Sequence, residues 1–145
     1  MKRYFVYLFF IMFAMQSCAQ KDIVQQPPTQ TDSTIYNRIW VLTRLNNKKI
    51  NYKEGDTKIT LVVTSENEYA SGSSGCNTYV GQVVIKRNHI MFRDIGTTLM
   101  LCPDKNEALE RTYLNNLNEI DSWSIIDEDL YLYKNDRPIL IYTKE

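Results

Sequence analysis

The 145 residues balance 17 basic against 17 acidic side chains, with one histidine, so the chain has neither the charge footprint of a nucleic-acid binder nor a Lys/Arg cluster for an anionic membrane surface. Its length is that of one ordinary domain. Three cysteines and a single histidine, His89, with no CxxC spacing, exclude the common zinc-binding patterns, and no cofactor is implied.

The N-terminus opens with Lys2 and Arg3, followed by twelve apolar residues from Tyr4 to Met15 and then Gln16-Ser17-Cys18. That run is too short to span a bilayer, which takes about 20 apolar residues. It fits the apolar region of a secretory signal over residues 1–17. A cysteine directly after a small residue resembles a bacterial lipoprotein signal, in which Cys18 is lipidated and becomes the first mature residue. Cleavage leaves 128 residues with 15 basic and 17 acidic side chains. The expected location is the cell envelope, held at the outer membrane by lipid on Cys18 and facing the periplasm or the surface.

Residues 18–34 are rich in Gln, Thr and Pro and poor in large apolar groups, the composition of a flexible tether. The folded domain is expected over 35–145. Its first strand falls within Arg38 to Leu45, carrying Trp40, Leu42 and Leu45, and Asn46 to Lys49 reads as a turn. Lys58 to Thr64 alternates, with Ile59, Leu61 and Val63 on one face; Val62 interrupts the outer face, which is expected to be partly covered. Glu66-Asn67 marks a turn into a strand at Tyr69 to Ser73. Val80 to Lys86 and His89 to Ile95 form a hairpin around Arg87-Asn88.

One helix is predicted from about Lys105 to about Asn116, with Asp104 as N-cap, Glu107 at N3 and apolar residues at Leu109, Tyr113, Leu117 and Ile120. Strands follow at Ser122 to Ile126, Leu130 to Lys134 and Pro138 to Thr143, joined through Asp127-Glu128-Asp129 and Asn135-Asp136. Seven or eight strands with tight turns and one helix predict a mainly β, α+β fold. The sheet is small, antiparallel and strongly curved or barrel-like, and the helix packs over an open side or end.

If Cys18 carries lipid, Cys76 and Cys102 remain as an even pair in an oxidising compartment, which favours a disulfide over two buried free thiols. His89 sits near a turn on a polar strand face with Asp94 as the one acid of its hairpin, and no nucleophile motif accompanies it. Asp127-Glu128-Asp129 lacks the glycine and terminal glutamate of a calcium loop, so it reads as a solvated turn. Tyr131 and Tyr133 share one strand face opposite Leu130 and Leu132. With Tyr142 they are expected to form an exposed aromatic stripe that binds a protein or a glycan.

The stretch Gly72-Ser73-Ser74-Gly75-Cys76-Asn77-Thr78-Tyr79-Val80-Gly81 and the later Thr98-Leu99-Met100-Leu101-Cys102, Glu110-Arg111-Thr112-Tyr113 and Leu117 resemble the META-domain family, also called the HslJ-like domain. Trp40 and Leu42 match its opening strand, and Leu130 and Leu132 its closing hairpin. The resemblance implies a small antiparallel barrel-like sheet with a helix and an envelope or stress-linked role without general enzymatic activity. Gly75, Cys76, Asn77 and Thr98 read as a structural knot. Gly72 and Gly75 permit unusual backbone angles, Asn77 tolerates a left-handed one, and Thr98 offers its hydroxyl to a backbone group. The leading expectation is a monomeric, non-enzymatic, lipid-anchored envelope domain that binds an envelope protein or glycan. A barrel that carries a small ligand and an envelope hydrolase are the alternatives.

Overall fold

In the computed structural model, residues 34–145 are described; the readings placed on the signal segment, Cys18 and the tether up to residue 33 lie outside them. Nine strands and one helix follow in order: β1 (Trp40–Leu45), β2 (Lys48–Lys49), β3 (Thr60–Val63), β4 (Tyr69–Ser73), β5 (Thr78–Lys86), β6 (His89–Thr97), α1 (Asp104–Asn118), β7 (Ser122–Ile126), β8 (Asp129–Lys134) and β9 (Arg137–Lys144). Each strand pairs antiparallel with its neighbour, in the order β2-β1-β3-β4-β5-β6-β7-β8-β9, and β9 returns to pair with β1. The sheet is therefore a closed ring, as the tight turns predict.

The turn chemistry explains the hairpins. Asn46-Asn47, Asp127-Glu128 and Asn135-Asp136 all have positive φ at both central residues, the handedness that matches strand twist and that Asn and Asp tolerate best. The first of these corrects the expected four-residue turn. Two residues suffice, so Lys48 and Lys49 are free to pair with Leu45 and Arg44 as a short extra strand, and the count rises to nine.

Alternation fills the interior. Ile59, Leu61 and Val63 are fully buried, as are Leu130, Leu132 and Leu140 from the other side of the ring. Val62 is half-buried, in keeping with a partly covered outer face. The ring is weakest between β6 and β7, and the helix packs on other strands as well. β6 pairs with β7 through His89 and Ser122, and α1 packs against β6 and β9, burying Tyr113 and Leu117. The start of α1 differs from expectation. Pro103 takes the cap position with no side-chain hydrogen bond there, and its carbonyl accepts from Asn106 and Glu107 N–H. Glu107 pairs instead with Arg111 one turn on, at 2.7 Å. The C-terminal end runs to Asn118 because the buried Leu117 holds the last turn in place.

Tyr142 is corrected outright: it is fully buried. Register decides this, since Tyr142 lies opposite Leu130 and Leu140 opposite Leu132, which puts it on the inward face. Tyr131 and Tyr133 do occupy the other face, half-buried and stacked with ring centroids 6.3 Å apart.

Inside, Tyr142 donates to the Tyr113 hydroxyl at 3.2 Å, and Tyr79 donates to the Thr60 carbonyl at 2.9 Å. Tyr113 and Tyr79 hydroxyls are 2.8 Å apart. With the Tyr79 proton already given to Thr60, Tyr113 is the donor there, so the chain runs one way from Tyr142 to Thr60. Burial raises the pKa of all three phenols well above 10. A raised folded-state pKa contributes stability that is intact below the unfolded value of about 10 and is lost as pH rises through the folded value. Urea midpoints are therefore expected to stay level on the phenols' account up to about pH 10 and to fall above it; in Tyr113→Phe that alkaline fall is shallower. An alkaline limb unaltered by the substitution would remove the phenols as its cause.

Candidate functional site

The hairpin end between β4 and β5 turns through Gly75, whose φ of +100° makes it the left-handed residue; Asn77, expected to tolerate that conformation, does not adopt it. A Cβ on Gly75 would also press on Ile59 at 3.3 Å. The turn delivers two buried polar side chains. Ser74 is fully buried, its hydroxyl 2.8 Å from the Asn77 carbonyl and 2.9 Å from Glu110 Oε1. Asn77 is 7% exposed and spends its whole amide inside the knot. Its Nδ2 donates to Glu110 Oε2 at 3.1 Å, and its Oδ1 accepts from the Thr98 hydroxyl at 2.9 Å and the Met100 N–H at 2.8 Å. The Thr98 oxygen in turn accepts from Thr78 N–H at 3.1 Å, the backbone link expected of it.

A disulfide joins Cys76 to Cys102, with Cα atoms 6.0 Å apart. The segment after β6 is thus pinned at Thr98, at Met100 and at Cys102. Between these pins the apolar residues point outward: Leu99 is 96% exposed, Met100 63% and Leu101 104%. Water-facing apolar residues scattered singly are ordinary, but three in succession on a covalently held loop are not. A groove of about 370 Å³ runs beside them, lined also by Glu107, Arg111 and Leu114 of α1.

Sequence reasoning missed Glu110 as a member of this site. The signal was present in the helix itself. Residues 110, 113 and 117 stand at i, i+3 and i+7, the spacing of one face, so a carboxylate on the stripe of Tyr113 and Leu117 is turned inward. Glu110 is 7% exposed.

The other candidates stay apart from the knot. His89 is exposed at the start of β6, with Ser122 opposite it and Asp121 close by; Asp121, not Asp94, is the acid the fold brings to it. The Ser122 hydroxyl donates to Asp121 Oδ1 at 2.7 Å, and Asp121 Oδ2 accepts from Asn135 N–H at 2.6 Å. Those two bonds hold the Asp121 carboxyl below the ordinary carboxylate pKa. The serine hydroxyl thus points to the acid rather than to the imidazole, the reverse of a nucleophile–base pair. Asp127 and Glu128 form an exposed turn.

The META domain sequence model matches residues 33–145. Among solved structures, an NMR structure of a protein from Burkholderia xenovorans is similar, at 25% identity and a TM-score of 0.65, over 77% of this chain and 83% of that one. A second NMR structure is similar in fold at 20% identity and a TM-score of 0.59, over 75% of this chain and 90% of that one. No curated protein matches the chain. With a closed antiparallel ring and one helix among the described residues and a family match spanning residues 33–145, the chain belongs to the META domain family.

Proposed function

We propose that this META domain is a lipid-anchored, non-enzymatic module of the cell envelope, supporting envelope integrity under stress by binding another envelope protein. The observation that carries the reading is the run Leu99-Met100-Leu101, held out to solvent by a disulfide and by the Asn77 amide. A loop fixed in this way loses little conformational entropy when a partner covers it. The ring interior is occupied by packed side chains, which weighs against the ligand-carrying barrel, and the Asp121-directed Ser122 weighs against the hydrolase.

One experiment in cells addresses anchor and loop separately. Wild-type protein is expected in the membrane fraction and Cys18→Ala in the soluble fraction. The double variant Leu99→Ser with Leu101→Ser is expected to remain in the membrane fraction, yet to leave cells as sensitive to detergent and osmotic shock as cells without the protein. Membrane-bound Cys18→Ala would overturn the anchor. A serine double variant as protective as wild type would overturn the loop as the working surface.

A further inference from the structure

We infer that the knot holds a second, metal-binding state: when the Cys76–Cys102 disulfide is reduced, both thiolates and the Glu110 carboxylate form a site for one zinc-like divalent ion.

Three observations bring these groups together. The sulfurs of Cys76 and Cys102 and a Glu110 oxygen all lie within 4.8 Å of one another, the cluster of this kind among the described residues. Glu110 Oε2 is 3.7 Å from the Cys102 sulfur. Zinc–sulfur and zinc–oxygen bonds of about 2.3 and 2.1 Å at a tetrahedral angle put ligand oxygen and sulfur about 3.6 Å apart, so the carboxylate already stands at the right distance. Two thiolates on one tetrahedral ion are about 3.8 Å apart, against about 2.05 Å when bonded to each other; reduction allows them to separate by that difference.

The carboxylate is also prepared as a ligand. It is buried, and none of the ion pairs found among the described residues includes it. Its nearest basic neighbour in sequence, Arg111, is turned to Glu107. Ser74 and Asn77 hold its two oxygens, the second-shell orientation that metal-ligating carboxylates use. Cys102 and Glu110 both line the groove beside Leu99 to Leu101, the side from which the ion and a fourth, water ligand would enter. An ion with three protein ligands and one exchangeable position results.

The balance is simple. A dithiol reductant supplies two electrons and two protons, becoming a disulfide while Cys76 and Cys102 become thiols. Binding the divalent ion then releases both thiol protons, leaving a site of net charge −1. The ion takes over from the disulfide, so the exposed loop is held covalently in the oxidised state and by coordination in the reduced one.

Cobalt(II) titrated into phosphine-reduced protein is the direct test, because tetrahedral cobalt–thiolate sites absorb in the visible and near ultraviolet. One cobalt per chain is expected, displaced by zinc, with none bound by the oxidised protein. Glu110→Gln is expected to weaken cobalt binding tenfold or more, its folding checked by circular dichroism in the oxidised state. Glu110→Asp, which keeps the charge but withdraws the oxygen by one methylene, is expected to weaken it in the same direction. Reduced protein that binds no cobalt, or variants at position 110 that bind it as tightly as wild type, would overturn the proposal.

Discussion

Gly72→Ala is expected to destabilise the domain by more than about 3 kcal/mol, at the upper end of overpacking costs. Gly72 lies directly opposite Tyr79 across β4 and β5. A Cβ built there falls inside the van der Waals envelope of the Thr60 carbonyl and sits 3.1 Å from the Tyr79 ring. Neither neighbour has room to yield. The Thr60 carbonyl is backbone, held by the Tyr79 hydroxyl at 2.9 Å, and Tyr79 is the exit of the buried phenol chain. One methyl group therefore disturbs the β3–β4 contact and the hydrogen-bond chain together. Chemical denaturation measures the loss. Gly96→Ala, where an added Cβ meets nothing within 4 Å, is the control and should change stability by less than about 1 kcal/mol, the backbone share of a glycine replacement. If the two substitutions cost the same, the close approach at Thr60 is not what demands glycine at position 72.

Removing the disulfide with Cys76→Ala and Cys102→Ala is expected to cost about 3.5 kcal/mol, the chain-entropy value for a loop of this length; the cysteines are 26 residues apart in sequence. For a domain of roughly 110 residues that corresponds to a fall of about 15 °C in Tm. The local structure shares the work, since Asn77 holds Thr98 and the Met100 amide independently of the sulfurs. The double variant should therefore unfold at lower temperature in one cooperative step and keep its strand content below it. A loss under about 1 kcal/mol would assign the loop to Asn77 and Thr98 and leave the disulfide a minor role.

Much of the fold is written in local pattern. The alternation of Ile59, Leu61 and Val63, the Asn135-Asp136 turn and the Tyr113–Leu117 stripe each act within a few residues, and each is found as the pattern predicts. What escaped was set by pairing at a distance. Tyr142 is buried because β9 aligns it with Leu130 rather than with the tyrosines of β8, and a one-residue change of register would reverse that. The helix spacing records that Glu110 faces inward, but its partners Ser74 and Asn77 are set by where α1 meets the β4–β5 turn, which no stretch of helix sequence records. The outward run Leu99-Met100-Leu101 was equally hidden. Three apolar residues normally signal burial, and here three fixed points around them forbid it.

Ring closure has a temporal meaning. β1 hydrogen-bonds to β9, so residues 40–45 acquire their longest pairing only once residues 137–144 are present. During vectorial synthesis some ninety residues separate the two strands, and contacts of such wide sequence separation form slowly. The domain is thus held back from premature completion: an emerging chain truncated before residue 137 lacks the strand that seals its barrel, and its ring stays open until synthesis has passed that point.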